Sequence, residues 1–232
     1  MFLSYGKWLA EPRESAPFFD KEKIILRQTA DSIIAHLDTN SFINLNNVYN
    51  IGIKNNKIDL KYVLALLNSK ILNFIYQEIS QEQGRLFAEV KKVNLLKLPL
   101  KNIKLEYQKQ YSNKVDQILN LNIDFQKTNI KFTTYFSSQY HFEKISGKLE
   151  KWYELEFIDF IKELNKAIKT AKGTSLTKKD EFEWMELFAD NKKKALALKA
   201  EIDKTDKEID QMVYALYGLT EEEIKIICDA TS

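Results

Sequence analysis

The sequence predicts an α+β protein, with a mixed α/β domain at residues 1–100 and a mainly helical domain at residues 101–232. Three observations support this prediction: short apolar runs before residue 60, heptad-like apolar spacing in two later segments, and Pro99 between the two regions. Of the 232 residues, 44% are hydrophobic and 29% are charged, which is typical of a globular protein with a substantial core.

Four short apolar runs predict strands in the first domain. Residues 24–26 and 32–35 are one predicted pair, and residues 41–43 and 48–51 are a second. The asparagines at positions 44, 46 and 47 favour a turn between the members of the second pair.

The spacing of apolar residues then changes to steps of three and four, which is typical of an amphipathic helix. The pattern predicts a helix from about residue 59 to residue 77. Its apolar positions are Leu60, Val63, Leu64, Leu67, Ile71, Leu72 and Ile75. Pro99 is expected to close the domain, because a helix seldom continues through the residue before a proline.

Two segments of the second domain place residues at alternating steps of four and three. The first contains Tyr111, Val115, Ile118, Asn122 and Phe125. The second contains Ala195, Leu198, Ile202, Thr205, Ile209, Met212, Leu216 and Leu219. Such faces can bury each other as an antiparallel coiled-coil-like helix pair, with Asn122 and Thr205 fixing the register. The same faces could instead join two chains, so a homo-oligomer stays open.

Local signals also predict a core and three helix ends. Aromatic residues between 132 and 190 follow helical spacing, which favours an aromatic core over a stacking surface. Ser175 or Thr177 is expected to cap the helix that follows a loop at residues 173–175. Gly218 is placed where a left-handed residue ends a helix, and Thr220 begins a capping box.

The sequence indicates a cytoplasmic protein without membrane contact. No apolar run approaches the roughly 18 residues needed to cross a bilayer. Residues 1–5 lack the features of a secretory leader. The single cysteine, Cys228, cannot form a disulfide within the chain, which fits a reducing compartment.

Positive charge is concentrated in the first part of the chain, although the net charge is only +2. Residues 1–145 carry 20 Lys/Arg against 14 Asp/Glu, whereas residues 146–232 carry 15 against 19. A local excess of this kind can neutralise phosphates. Charge alone favours the simpler alternative, a solvated lysine-rich surface.

Motifs for catalysis are missing from the sequence. The six glycines are dispersed, so there is no glycine-rich nucleotide loop, and the three prolines include no Pro-Pro pair of the kind amino-methyltransferases use. Two histidines and one cysteine are too few for a zinc site or a Cys-His dyad. Glu89-Val90-Lys91 matches half of a magnesium-nuclease motif, but no Pro-Asp lies upstream and a basic DNA-facing edge is the preferred interpretation. We therefore expect neither a catalytic centre nor a metal ligand.

Five segments in order resemble the TaqI-like specificity domain, found at the C-terminus of type IIG restriction enzymes and related adenine-specific DNA methyltransferases. Residues 5–13 (YGKWLAEPR) and 23–35 (KIILRQTADSIIA) resemble its start. Residues 62–70 (YVLALLNSK) are similar to the leucine-rich helix shared with type I specificity subunits. Residues 87–100 (FAEVKKVNLLKLPL) resemble the strand that closes the domain, and residues 208–220 (EIDQMVYALYGLT) are similar to the terminal helix.

This resemblance implies that residues 1–100 recognise double-stranded DNA in a restriction-modification system. It implies that residues 101–232 are a spacer or docking arm for a methyltransferase or nuclease domain or subunit. S-adenosylmethionine and magnesium would be held by those associated parts, so no cofactor is expected in this chain. The methyltransferase half is missing from the sequence, and whether the chain is a separate subunit stays open.

Residues of two kinds are candidates for DNA contact. Arg27 and Gln28 are the first choice for base contacts, because Arg pairs with guanine and Gln with adenine in bidentate fashion. A surface salt bridge or strand pairing is their alternative role. Turn chemistry is the alternative for the other base-contact candidates, Asn46, Asn47 and Tyr49. The candidates for phosphate contact are Arg85, Lys91, Lys92 and Lys97.

A rival hypothesis is a helical protein–protein interaction scaffold without DNA contact. The placement of the basic side chains discriminates between the two. The DNA hypothesis gains if Arg27, Arg85, Lys91 and Lys92 converge on one concave face of the first domain. The scaffold gains if they scatter, and the DNA hypothesis is to be abandoned if they are dispersed or turn inward against acidic partners.

Overall fold

The computed structural model describes residues 22–44, 47–54, 56–82, 84–85 and 88–231. It divides the chain into two compact units. Unit 1 comprises the residues up to Asp116 together with those from Lys207 onward, and unit 2 comprises Gln117–Asp206. The predicted division after residue 100 follows sequence pattern alone and stays a prediction. The predicted α+β class is confirmed.

Unit 1 contains a three-stranded antiparallel sheet in the order β2-β1-β3. The strands are β1 (Lys23–Arg27), β2 (Ala35–Asp38) and β3 (Val48–Ile51). Ile24 pairs with Leu37 on one side and with Ile51 on the other. Because Ile24, Leu26 and Leu37 are almost fully buried, this face of the sheet belongs to the core.

The predicted strand at residues 41–43 is wrong. Ser41 has a φ of 57°, which does not occur in a strand. The Asp38 carboxylate instead accepts the backbone amides of Asn40 and Phe42, at 2.8 and 2.9 Å, and thereby holds a turn. The predicted strand at residues 32–35 is displaced, since β2 begins only at Ala35. The strand at 48–51 is confirmed, but its partner is β1.

The predicted helix from 59 to 77 is divided into α1 (Leu60–Asn68) and α2 (Lys70–Ser80). The backbone leaves the helical region at Ser69, where ψ is 148°. The Ser69 hydroxyl accepts the Leu72 amide and so begins α2, while its own amide bonds to the Leu66 carbonyl. Since the apolar period continues across the break, spacing alone did not indicate it.

The predicted closing strand at residues 87–100 is wrong over its described part. Residues 88–91 lie in no helix or strand among the described residues, the backbone of Lys91 is extended, and a short helix α3 (Lys92–Leu95) follows. The Lys91 carbonyl accepts the amides of Asn94 and Leu95, so the chain closes a helical turn instead of continuing along the sheet. One backbone bond does reach β1, from the Val90 amide to the Gln28 carbonyl at 2.7 Å.

Two long helices, α4 (Leu105–Gln139) and α7 (Lys178–Tyr217), supply residues to both units. In unit 1, the Tyr111 hydroxyl donates to the Met212 carbonyl at 3.1 Å, and Lys114 contacts Glu208 at 2.6 Å. Position 111 therefore faces 212 while 114 faces 208, which is an antiparallel arrangement, as predicted. A coiled coil in the strict sense stays a prediction.

Helix α7 ends as predicted, and the final helix α8 (Glu221–Ala230) belongs to unit 1. Gly218 has a φ of 71°, and the Leu219 amide bonds to the Tyr214 carbonyl in the pattern of a left-handed helix cap. Thr220 and Glu223 form the predicted capping box.

Unit 2 has the predicted aromatic core. It comprises parts of α4 and α7 with α5 (Gly147–Glu150), a 3₁₀ turn (Trp152–Glu154) and α6 (Phe157–Thr170). Phe132 lies 4.2 Å from Trp152 and 6.1 Å from Trp184 between ring centroids. Other buried members are Phe136, Leu149, Phe160, Leu164, Ile168 and Phe188. Thr177 caps α7 through the Asp180 amide, which fulfils one of the two predicted caps.

The polar residues predicted to fix the helix register bond to their own helices. Asn122 donates to the Ile118 carbonyl at 2.8 Å, and Thr205 donates to the Glu201 carbonyl at 2.7 Å. The Asn122 amide, which is half-buried, and the buried Thr205 hydroxyl are therefore each bonded within their own helix. Among the described residues, no helix combines the length and apolar character that crossing a membrane requires.

Candidate nucleic-acid interface

The C-terminal end of β1 is the point at which the predicted DNA-contacting segments meet. The Gln28 amide donates to the Asn47 carbonyl at 3.0 Å, just before β3. The Gln28 carbonyl accepts the Val90 amide at 2.7 Å. These two bonds bring the segments around residues 28, 47 and 90 together.

A buried carboxylate, Glu82, organises the neighbouring basic side chains. Its Oε1 lies 3.2 Å from Arg85 Nη1 and 3.0 Å from Lys91 Nζ. The Glu82 side chain is only 6% exposed, whereas those of Arg85 and Lys91 are 62% and 52% exposed. The hydrogen bond from Lys91 and the charge of Arg85 hold the pKa of Glu82 below its ordinary value, although burial acts against them. Two exposed cations are therefore held over one carboxylate.

The other phosphate candidates follow Lys91 along the chain. Lys92 is exposed at the start of α3, and Lys97 is exposed in the turn after it, with Nζ 3.5 Å from the Asn94 side-chain oxygen. Arg27 is exposed at the end of β1, next to the Gln28 junction. We define the cationic rim as the four residues at this junction. They are Arg27, Arg85, Lys91 and Lys92.

The base-contact candidates differ in exposure. Arg27 and Asn47 are exposed, and Gln28 is half-buried. Tyr49 is half-buried and lies opposite Leu26, so it shares the sheet face whose Leu26 is fully buried. Asn46 lies outside the described residues.

The sequence interpretation missed three polar contacts that shape this region. Asn44 and Asn50 bond to each other reciprocally through their amides, at 2.7 and 3.1 Å, across the loop that holds Asn47. The Tyr76 hydroxyl accepts the Lys91 amide at 3.1 Å and so fixes the backbone before α3. Glu82 is the third. Its spacing of three from Arg85 was a weak signal, but nothing local indicated its pairing with Lys91.

The cross-strand pair of Lys23 and Asp38 supports the opposite end of β1. The two side chains are fully buried, with 2.7 Å between Nζ and Oδ2. Burial acts to raise the pKa of Asp38, but hydrogen bonds from Lys23 and from the Asn40 and Phe42 amides hold it below its ordinary value.

The lysine of the magnesium-nuclease fragment, Lys91, is paired with a carboxylate outside the fragment. The Lys91 ammonium contacts Glu82, and Glu89 contributes its backbone carbonyl, to the Tyr76 hydroxyl at 3.4 Å. Within the described ranges, no three His, Cys, Asp or Glu side chains are grouped so that they could hold a metal ion.

By its fold and surface, unit 1 is an α+β domain with a cationic rim at one end of its central strand. The family model of the TaqI-like C-terminal specificity domain matches residues 1–100, which agrees with the resemblance found in the sequence. A second family model, a domain of unknown function (DUF8810), matches residues 104–213. No curated protein and no solved structure matches the chain.

The match to a specificity domain implies a DNA-recognition role in restriction-modification systems. It also implies association with the other parts of a restriction-modification enzyme. Specificity domains of this family are typically non-catalytic.

Proposed function

We propose that the chain is the DNA target-recognition module of a restriction-modification system. In this proposal it directs an associated adenine-specific methyltransferase, of the type IIG kind or a related one, to a short DNA site. The observation that carries the proposal is the junction at the end of β1, where backbone bonds bring the segments of Arg27 and Lys91 together and Glu82 holds Arg85 beside Lys91.

The rim residues divide into two roles. Arg27 contacts a base, with Gln28 and Asn47 beside it, because an exposed guanidinium can pair with the O6 and N7 atoms of guanine. Arg85, Lys91 and Lys92, with Lys97 beyond them, contact phosphates and fix the position of the domain on the duplex. Before DNA binds, Glu82 pairs with Arg85 and Lys91 and offsets part of their positive charge.

The associated catalytic parts would hold S-adenosylmethionine, together with magnesium where an endonuclease is present. The protein would act in the cytoplasm. The helices following residue 104 would dock those parts, in one copy or in a homo-oligomer.

The direct test is a fluorescence-anisotropy titration of the full chain with a labelled duplex pool of random sequence, at several salt concentrations. About five phosphate contacts should give a slope near −4.5 in log K against log salt. An R85A variant should bind all sequences more weakly with a shallower slope. R27A should bind the pool nearly as well but lose preference at one position of sequences selected by the wild type. Lack of affinity at low salt would overturn the proposal.

Glu82 offers a second test, with a matched control. In E82Q one negative charge is removed from beside Arg85 and Lys91, so affinity for the pool should rise and the salt slope should steepen by about 0.9. Glu78 is an exposed acid on α2 outside these contacts, so E78Q should change the slope less. Equal effects of E82Q and E78Q would contradict the role given to Glu82.

A further inference from the structure

A cavity in unit 2 lies between the segment after α4 and the C-terminal half of α6. Its volume is about 670 Å³, which lies in the range of small-molecule sites. Part of its wall is apolar, from Phe142, Ile145, Ala167 and Ala171. The wall can therefore cover an apolar ring.

The rest of the wall is predominantly basic. Its basic members, all exposed, are His141, Lys144, Lys166 and Lys172. Its acidic members are Glu143 and Glu163, and Glu163 already contacts Lys148 at 3.3 Å. An anion in the cavity would thus meet an excess of positive charge.

Two of these basic residues occupy helix ends where glycine is the usual residue. At the end of α6, the Gly173 amide bonds to the Ile168 carbonyl at 2.9 Å, and Lys172 has a φ of 60°. At the end of α4, the Phe142 amide bonds to the Ser137 carbonyl at 2.9 Å, and His141 has a φ of 54°. Both are left-handed caps. A residue with a Cβ adopts this conformation at a cost in free energy that glycine avoids.

The same chain uses glycine at the corresponding position of α7. Gly218 has a φ of 71° there, with the equivalent bond from Leu219 to Tyr214. In the cap of α6, glycine stands one residue later, at position 173, where an added Cβ would come within 2.9 Å of Ile168 Cγ2. Lys172 and His141 thus occupy left-handed positions at a conformational cost, and both line one cavity.

Cations near a helix C-terminus also interact favourably with the helix dipole, often by bonding to the last carbonyls. In the described part of the chain, neither the Lys172 ammonium nor the His141 imidazole makes such a bond. The dipole alone gives no reason for two of these residues to face the same cavity.

We propose that this cavity binds a small organic phosphate, with a nucleoside monophosphate as the matching chemistry. The ammonium groups of Lys144, Lys166 and Lys172 would meet the phosphate, and the apolar wall would cover the base. This site goes beyond the proposed DNA-recognition function, which assigns no ligand to unit 2. Duplex DNA fits the cavity less well, because a duplex backbone calls for an extended row of cations.

The test is isothermal titration of the full chain with AMP at low salt, alongside inorganic phosphate and adenosine. We expect AMP to bind more tightly than either part alone, and added salt to weaken its binding. No heat with AMP at millimolar concentration would overturn the proposal. Displacement of AMP by a short duplex, in a manner that depends on Lys172, would also overturn it, since the cavity would then belong to a DNA surface.

Substitution of Lys172 separates a binding role from a structural one. K172G should raise the melting temperature, because glycine suits a φ of 60°, while weakening AMP binding about fivefold or more. H141G should likewise raise the melting temperature, because His141 has a φ of 54°. Lys162 is an exposed lysine of α6 that does not line the cavity, so K162A should leave binding unchanged. Unchanged AMP affinity in K172G, or an equal loss in K162A, would overturn the assignment. The outcome of the DNA titration does not depend on this result.

Discussion

At the scale of single residues, the region around β1 depends on ionic contacts placed deep in an apolar setting. Lys23 is fully buried, although its neighbour Ile24 already occupies the core face of the strand. It is directly opposite Asp38 in the register, and 2.7 Å separate the two charged groups. A buried ion pair adds little net stability over an apolar pair, but removing one member is costly.

The first prediction concerns this pair. D38N removes the carboxylate beside Lys23 and should lower the free energy of unfolding by about 3–5 kcal/mol. In the double variant K23M/D38N the ammonium is absent as well, so much of the lost stability should return. The measurement is urea unfolding followed by circular dichroism at pH 7. If the single and double variants were equally destabilised, the coupling between the two side chains would be refuted.

The stability difference between wild type and D38N is also expected to depend on pH. The folded-state pKa of Asp38 lies below its unfolded value, so the pair contributes fully above the unfolded value, about 3.9. That contribution is lost as the pH falls through the lower, folded value. The stability gap between wild type and D38N should therefore narrow from pH 5 to pH 2. A gap that stayed constant would contradict the ionic origin of the effect.

At the scale of secondary-structure elements, the break between helices α1 and α2 depends on a few side-chain groups. Ser69 terminates α1 and begins α2, and the Lys70 amide beside it is bonded to Asp210 Oδ1 at 2.9 Å. The Ser69 hydroxyl is buried and bonded to the Leu66 carbonyl at 2.6 Å. The break between the two helices is thus held by side-chain groups from two distant parts of the chain.

The second prediction follows from this cap. S69A removes the hydroxyl that accepts the Leu72 amide, so the protein should lose about 1 kcal/mol of stability. Ser80, near the other end of α2, is the matched control, because its hydroxyl makes a 3.4 Å bond to the Gln77 carbonyl but caps no helix, whereas the Ser69 hydroxyl combines the 3.4 Å cap with a 2.6 Å bond to Leu66. S80A should change the unfolding midpoint less. Equal midpoints for S69A and S80A would show that Asp210 alone maintains the break.

Elements with local causes could be predicted from the sequence. The capping box at Thr220, the left-handed Gly218 and the aromatic core depend on neighbours a few residues away or on strong helical period. The turn that replaces the predicted strand at 41–43 is also local, since it depends on the Asp38 carboxylate and a left-handed Ser41, but the prediction gave more weight to the apolar residues Phe42 and Ile43.

The candidate interface likewise has features that the sequence predicted and features that it did not. Residue type and local charge identified Arg85 and Lys91 as exposed cations, and both are exposed. Their arrangement around Glu82 and the junction of Gln28 with Val90 depend on contacts between distant residues. Sequence periodicity does not indicate contacts between distant residues. The sequence therefore identified the candidate residues but not the contacts between them.

At the scale of the whole molecule, the family matches and the compact units divide the chain differently. The specificity-domain match covers residues 1–100, whereas unit 1 also includes the residues up to Asp116 and those from Lys207 onward. Gln108 is fully buried, and its side chain bonds to the Asp59 amide and to the carbonyls of Lys57 and Ile103. The segment that precedes α1 is therefore held by a residue outside the specificity-domain match.

The last prediction tests whether unit 1 needs the end of the chain. A chain ending at residue 206 loses the Asp210 contact with Lys70, the bond from Tyr217 to the Pro99 carbonyl at 2.6 Å, and the Leu216 carbonyl that accepts Lys101 at 2.8 Å. Hydrogen exchange in the β1–β3 amides should become faster, because α1 packs against the sheet and these contacts hold its neighbour α2 and the segment at residues 99–101. A chain ending at residue 220 keeps all three contacts and should retain more protection, although it loses α8, whose Ile227 is buried in unit 1. Equal protection of the sheet in the chain ending at 206 and in the full chain would mean that the specificity domain folds without the residues from Lys207 onward. The role of those residues would then be limited to docking the associated catalytic parts.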